Sequence, residues 1–171
     1  LIWQEDSCIF NNNYDEFLKY HYIGAPWKQK NIDYTCNSVG NGGFSLRSKQ
    51  IMIDVCDKFS IKDHIKSPIN LSYMKEFNFK HPPEDRYFSE VIIQNNLGKI
   101  PDWHIASRFS EESYKSKNSF GGHQFWYAGT DWQKRMFKLN YHYKIDQSKL
   151  PDHQKKITKK YYNLFHKVLL N

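Results

Sequence analysis

Residues 39–47 read Val39-Gly40-Asn41-Gly42-Gly43-Phe44-Ser45-Leu46-Arg47, and they hold three of the eight glycines of the chain within four positions. A glycine pair allows positive φ angles, and it lacks the Cβ that would keep a ligand away from the main chain. Two interpretations are open. The stretch is either a tight turn before a strand, or a floor of bare main chain on which a flat polar ligand lies.

The segments before and just after this stretch predict alternating strands and helices. Residues 1–10 read as a strand interrupted by acids, and residues 14–20 as a short helix with Phe17 and Leu18 on its inner face. Ser48 is placed to cap a helix whose apolar residues recur every four positions. These apolar residues are Ile51, Val55 and Phe59.

The second half of the chain continues the mixed pattern. Pro82-Pro83-Glu84-Asp85 opens the clearest helix, and Gly98 is placed to end it. Residues 100–109 predict a strand, residues 110–119 a polar loop, and residues from 148 onward a long amphipathic helix. The inward side chains of the helix that opens at Glu84 are expected to be Phe88, Val91 and Ile92. Together the segments predict one α/β domain over residues 1–171.

The composition favours a tightly packed protein and argues against a membrane span and a nucleic-acid partner. Aromatic residues make up 17% of the chain, hydrophobic residues 39%, and no apolar run is long enough to span a membrane. The net charge of +7 comes mainly from lysine, with four arginines, so a nucleic-acid partner is disfavoured. Three cysteines form no CxxC pair and slightly favour a reducing, cytoplasmic compartment.

Four features carry candidate chemistry, and each also has a purely structural interpretation. Asp6 follows Gln4-Glu5 and can be a turn acid at a strand end. Glu84 and Asp85 can simply favour the first turn of a helix, and His123 in Phe120-Gly121-Gly122-His123 can be a packed loop residue. The glycine stretch is the fourth feature.

The order of these motifs resembles the GT-A class of nucleotide-sugar glycosyltransferases. It runs from the strand-end acids through Tyr22-Ile23-Gly24-Ala25-Pro26-Trp27, Gly40-Asn41-Gly42-Gly43-Phe44-Ser45-Leu46-Arg47-Ser48 and Pro83-Glu84-Asp85 to Phe120-Gly121-Gly122-His123. The sequence is most similar to an uncharacterised glycosyltransferase-like family, and more distantly to the β-1,4-galactosyltransferases. The resemblance covers about residues 1–126. It implies a Rossmann-related mixed sheet flanked by helices, without the usual N-terminal nucleotide-binding half and followed by the C-terminal amphipathic helix.

The resemblance implies a donor and metal side. Asp6 matches the last acid of the DxD motif and His123 the histidine that completes the metal site. Gln4 stands where the first acid of DxD binds the donor. Gly42 and Gly43, with Asn41 beside them, match the glycines that line the donor-sugar pocket.

The resemblance also implies an acceptor side. Glu84 and Asp85 match the first two acids of the galactosyltransferase GGEDDD run, where the first binds acceptor and the second is the general base. Two roles are open for Trp27, Tyr87 and Trp126: stacking on apolar sugar faces in the acceptor site, or packing in the core. The helix start is expected to lower the basicity of Asp85. Asp6, Asp85 and His123 are expected to meet at one pocket floored by the glycines.

The implied reaction is inverting transfer of a sugar from a nucleotide-sugar donor to a glycan or other hydroxyl acceptor. A divalent cation would neutralise the leaving diphosphate, and one imidazole beside oxygen ligands suits Mn²⁺ better than Mg²⁺. Leu1-Ile2-Trp3 already reads as a strand, so three explanations are open for the missing nucleotide-binding half. The chain is cut from a longer protein, another segment supplies that half, or the fold has lost nucleotide binding.

Three departures from the family pattern favour a second hypothesis. Gln4 replaces an acid, Arg86 occupies the third acidic position of the GGEDDD run, and the sequence starts at the strand-end acids without the nucleotide-binding half. The alternative is a catalytically silent glycan-binding or scaffolding module with the same fold. A basic nucleic-acid-binding domain is a third, weaker alternative.

Overall fold

The computed structural model describes residues 1–28, 34–66, 74–75 and 78–128. The helix predicted from residue 148 lies outside these residues. The described elements are the strands β1 (Ile2–Trp3), β2 (Ser7–Ile9), β3 (Tyr22–Pro26), β4 (Val39–Arg47), β5 (Ser110–Glu111) and β6 (Gly121–His123), and the helices α1 (Lys49–Lys58), α2 (Ile61–Ile65), α3 (Glu84–Gln94) and α4 (Trp103–Phe109). Short 3-10 turns cover Tyr14–Phe17, Cys36–Ser38 and Phe125–Tyr127.

The strands form two small sheets instead of the single mixed sheet that was expected. The first has the order β1-β4-β3 and is antiparallel, whereas the second has the order β2-β6-β5 and pairs β5 with β6 in parallel. The α/β class is confirmed. Within the described residues, no helix is long and apolar enough to cross a lipid bilayer.

The glycine stretch is one continuous strand, β4, so the tight-turn interpretation is wrong. β4 lies in the middle of the first sheet because it pairs with β1 on one edge and with β3 on the other. Its pairing with β3 is irregular: Ile23 opposes Leu46, and Ala25 opposes Asn41. Between these two pairs, one residue of β3, Gly24, is opposed by four residues of β4, and the extra residues form a bulge that contains Gly42 and Gly43.

The core packs on both faces of the first sheet. Side chains alternate along β3, so Ile23 faces one cluster and Tyr22 the other. The first cluster contains the buried residues Phe17, Tyr20, Ile23, Phe44, Phe109 and Phe120, and the second contains Tyr22, Val55, Tyr87, Val91 and Ile92. α3 therefore covers one face, and the segments around α4 and β6 cover the other.

Two helix starts follow the sequence expectation. The Ser48 hydroxyl accepts a hydrogen bond from the Ile51 N–H and caps α1, and α3 opens at Glu84. Inside α1, Val55 is buried, and Ile51 and Phe59 pack against the same cluster. The inward residues of α3 are also confirmed, with Val91 and Ile92 buried and Phe88 packed against them.

Three local predictions are wrong. Residues 100–109 contain α4 and no described strand, because the Asp102 carboxylate caps a helix by accepting from the Ile105 N–H. Gly98 does not end α3, since Asn96 takes the left-handed position there with φ of 51°. Leu18 follows a single 3-10 turn and is exposed, whereas Phe17 and Tyr20 of the same segment face the core.

Candidate functional site

Two adjacent glycines of β4 contact two different groups of polar side chains. A Cβ on Gly42 would lie 2.9 Å from Asp85 Cβ and 2.9 Å from Glu84 Oε1. A Cβ on Gly43 would lie 2.2 Å from His123 Nδ1. Only glycine permits both approaches, because these distances are shorter than any real Cβ contact.

The carboxylate group lies at the start of α3. The Gly42 N–H donates to Asp85 Oδ2 at 3.0 Å, and the Arg86 N–H donates to Asp85 Oδ1 at 2.8 Å. Burial raises the pKa of Asp85 above its usual value, and the neighbouring Glu84 charge raises it further. The two N–H donors and Arg47 oppose this increase. Asp85 is therefore a stronger base than its position at a helix start alone would make it, which reverses the sequence expectation.

Arg47 joins β4 to the start of α3. Its side chain is only 7% exposed, and one Nη lies 2.8 Å from Glu84 Oε1. Its Nε donates to the Ser45 hydroxyl, and its guanidinium lies 5.0 Å from the centre of the Tyr22 ring. Arg47 thus fixes Glu84 beside Gly42. Sequence reasoning did not single it out, although a charge at the end of an apolar strand was a visible signal.

The histidine group lies where the second sheet meets β4. β2 pairs with β6 so that Ser7 opposes His123, and this brings Asp6 beside the imidazole. The His123 Nε2 lies 3.1 Å from Asp6 Oδ1, and the His123 side chain is 8% exposed. Gln124 holds the other carboxylate oxygen, since its Nε2 donates to Asp6 Oδ2 at 3.0 Å. Gln124 takes a left-handed conformation with φ of 45°, a strained geometry that clusters at functional sites.

The remaining predicted donor residues lie next to these groups. The Gln4 N–H donates to the Gly43 carbonyl at 2.8 Å, and Asn41 Oδ1 accepts from the Gly43 N–H at 3.1 Å. Both residues therefore lie beside the main chain of Gly43.

The two predicted acceptor aromatics have different positions. Trp27 is half-buried beside β4, where a Cβ on Gly40 would lie 3.1 Å from its Cη2 atom, and the Arg86 guanidinium lies 5.9 Å from its ring centre. Tyr87 is buried in the core, and its hydroxyl donates to the Phe59 carbonyl at 2.6 Å. Since its ring and hydroxyl are both engaged inside the protein, Tyr87 is removed from the acceptor site.

The structure brings Asp6 and His123 together but does not put Asp85 in the same pocket with them. Asp85 reaches Gly42 from the face that α3 covers, while His123 reaches Gly43 from the face of the second sheet. Successive residues of a strand point to opposite sides, which explains this division. The two groups are thus adjacent along β4 and separated by its main chain.

The Asp6 carboxylate and the His123 imidazole suit a cation that takes its remaining ligands from phosphate and water. Among the described residues, Asp6 Oδ1, both ring nitrogens of His123 and Glu112 Oε2 are buried without a hydrogen-bond partner. In the same part of the chain, no three His, Cys, Asp or Glu side chains are arranged to hold a metal ion. Mg²⁺-type sites commonly take one or two protein ligands and complete their shell with phosphate and water. Asp6 and His123 fit that requirement.

Comparison with known proteins gives a family but no activity. No curated protein and no solved structure matches the chain. The model of one family, described as a protein of unknown function (DUF5672), matches residues 1–123, which include Gln4, Gly42, Gly43, Asp85 and His123. The chain therefore belongs to the DUF5672 family.

Proposed function

We propose that this domain is a metal-dependent inverting glycosyltransferase of the GT-A type, acting on a nucleotide-sugar donor and a glycan or other hydroxyl acceptor. The observation that carries the proposal is the contact of Asp6 with His123. His123 packs against Gly43 of β4, and the adjacent Gly42 donates its N–H to Asp85. Asp6 Oδ1 and both ring nitrogens of His123 are buried without a hydrogen-bond partner. A purely structural turn acid or packed loop histidine would be expected to have its buried polar atoms hydrogen-bonded.

In this proposal Asp6 would hold a divalent cation through a carboxylate oxygen and His123 through Nε2. Mn²⁺ is preferred to Mg²⁺ as this cation. The cation supplies positive charge that stabilises the departing nucleoside diphosphate. Asn41 and Gln4 fix the main chain of Gly43 from both sides. The donor sugar can then lie against backbone that carries no side chain.

Asp85 acts as the general base. As the acceptor oxygen bonds to the anomeric carbon and the bond to the diphosphate breaks, the acceptor proton passes to an Asp85 carboxylate oxygen. The N–H groups of Gly42 and Arg86 orient the carboxylate without taking its remaining lone pairs. Burial raises the pKa of Asp85, which brings it closer to the range in which a base accepts a proton efficiently.

Replacing Asp85 tests the base. Asp85→Asn in the full-length protein should abolish transfer while leaving donor binding intact. Asp63→Asn is the matched control, because Asp63 forms an exposed pair with Lys66 at the end of α2. Unchanged turnover in Asp85→Asn would reject the base assignment.

Metal binding tests the other half of the site. His123→Ala should weaken Mn²⁺ binding in calorimetry with pyrophosphate present as the diphosphate probe. Equal affinity in His123→Ala and the wild type would remove His123 from the site.

The second candidate is a catalytically silent glycan-binding module. Two observations favour it: Gln4 offers no carboxylate, and Arg86 is engaged with Glu90 and Trp27 at a position where the galactosyltransferases that the sequence resembles have an acid. A donor-hydrolysis assay with several nucleotide sugars separates the candidates, since a silent module would release no diphosphate.

A further inference from the structure

Glu112 is a half-buried residue with a buried carboxylate oxygen that the proposed reaction does not use. It directly follows β5, and the parallel register of β5 with β6 matches Glu111 with Gly122. Continuing that register by one residue places Glu112 beside His123. Its Oε2 lies 3.6 Å from His123 Nδ1, and its side chain is 17% exposed.

The imidazole of His123 is therefore enclosed on three sides. Asp6 lies at Nε2, Glu112 lies at Nδ1, and the main chain of Gly43 lies against the ring. Its two nitrogens therefore face two different carboxylates.

We propose that Glu112 is a positioning residue for the metal site: it accepts the Nδ1 proton of His123 and so directs the Nε2 lone pair, with Asp6, at a divalent cation. This inference rests on the proposed metal-binding function. A histidine that binds a metal almost always donates its other N–H to a carboxylate, a carbonyl or water, and that partner fixes the ring and increases its basicity. Glu112 supplies this partner. The 3.6 Å separation is longer than a hydrogen bond, so the proposal requires this contact to shorten when the ring donates.

Two substitutions separate a positioning residue from a ligand. Glu112→Ala removes the acceptor and should lower the Mn²⁺ affinity by about 10- to 100-fold. Glu112→Gln keeps an oxygen that can accept the N–H and should lose less than about tenfold. His123→Ala and Asp6→Asn give the loss expected for a direct ligand, and Asp63→Asn controls for the removal of one charge.

The affinities are measured by electron paramagnetic resonance of Mn²⁺ titrated into the protein, with and without pyrophosphate. Far-ultraviolet circular dichroism confirms that each variant is folded. A Glu112→Gln loss as large as that of His123→Ala would overturn the proposal, because it would make Glu112 a ligand. Equal affinity in Glu112→Ala and the wild type would overturn it as well, and would leave the metal site standing. A wild type that binds no Mn²⁺ under either condition would overturn both.

Nitrogen NMR of the histidine rings provides a readout that does not depend on affinity. With the diamagnetic ion Cd²⁺ bound, His123 should show a protonated Nδ1 and a coordinated Nε2, and Glu112→Gln should preserve this assignment. Coordination through Nδ1 would contradict the proposal, because Glu112 would then face the cation directly.

Discussion

The imidazole of His123 packs against the main chain of Gly43 so closely that a Cβ there would lie 2.2 Å from Nδ1 and 2.4 Å from Cγ. The neighbouring Gly42 has the same relationship to the start of α3. This explains why two glycines occur in the middle of a buried strand, where they lower strand stability.

Gly43→Ala should therefore disrupt the histidine group. His123 is held between Asp6 and Glu112 and cannot move away freely, so the methyl group forces a shift of the ring or of β4. We expect a loss of about 1–3 kcal/mol in the free energy of unfolding, measured with urea, and weaker Mn²⁺ binding. Unchanged stability and Mn²⁺ affinity would show that the ring packs elsewhere.

Gly42→Ala is the matched comparison. Its methyl group would meet Arg47 Nη2 at 2.6 Å and Asp85 Cβ at 2.9 Å, away from the imidazole. We expect loss of transfer activity with Mn²⁺ affinity close to that of the wild type. Loss of Mn²⁺ binding in this variant would mean that the two groups of side chains are not independent.

The carboxyl group of Asp85 should titrate above its usual pKa of 3.8, because burial disfavours its charged form and Glu84 adds a like charge. Glu84→Gln should lower the pKa of Asp85, since it removes that like charge. Carbon NMR of the labelled side-chain carboxyl groups measures both values. A titration of Asp85 at or below 3.8 in the wild type would contradict this prediction.

The same shift makes stability depend on pH. Because the pKa of Asp85 is raised on folding, the folded state keeps this proton in a range where the unfolded state has lost it. The contribution of Asp85 to the free energy of unfolding is thus largest below pH 3.8, falls as pH rises towards the folded pKa, and is constant above it. Urea unfolding of the wild type relative to Asp85→Asn across this window should show that decline, and a difference that increases with pH would refute it.

Arg47→Lys should be destabilising by about 1–3 kcal/mol, although it retains the charge. Lysine cannot reproduce the guanidinium contacts to Glu84 and Ser45, and it loses the stacking on Tyr22. Arg108→Lys is the control, because Arg108 pairs with Glu16 at an exposed position where about 1 kcal/mol or less is expected. Equal effects of the two substitutions in urea unfolding would contradict the buried role of Arg47.

Asp102→Ala tests the helix that replaced an expected strand. The Asp102 side chain accepts from the Ile105 N–H at 3.0 Å, and loss of such a cap costs about 1 kcal/mol. Asp102→Asn retains an acceptor oxygen and should recover most of that stability in urea unfolding. A neutral Asp102→Ala would imply that packing of α4 alone determines the helix.

The sequence misled at α4 and left two roles open for Tyr87. Residues 100–109 combine β-branched and aromatic residues, which favour a strand locally, but the Asp102 cap and the burial of Ala106 and Phe109 on one side select a helix. Tyr87 lies four positions before Val91, and this helical spacing puts it on the inward face of α3, so the structure selects its core role.

Glu112 shows a different limit of sequence reasoning. It lies in a segment that predicts a polar loop, and nothing nearby distinguishes it from Glu111. The register of β5 with β6 alone brings it to His123. Glu111 points elsewhere and accepts from the Ser119 hydroxyl at 2.7 Å.

The sequence by itself determined the features that depend on neighbours along the chain: the α/β class, the cap of α1 and the start of α3 at Glu84. Tertiary structure decided which distant side chains contact the main chain of Gly42 and Gly43. It brought Asp6 to His123 across 117 positions, and it put Asp85 against the other side of β4. Strand pairing and alternation of side chains set these contacts, and both depend on partners far away in the chain.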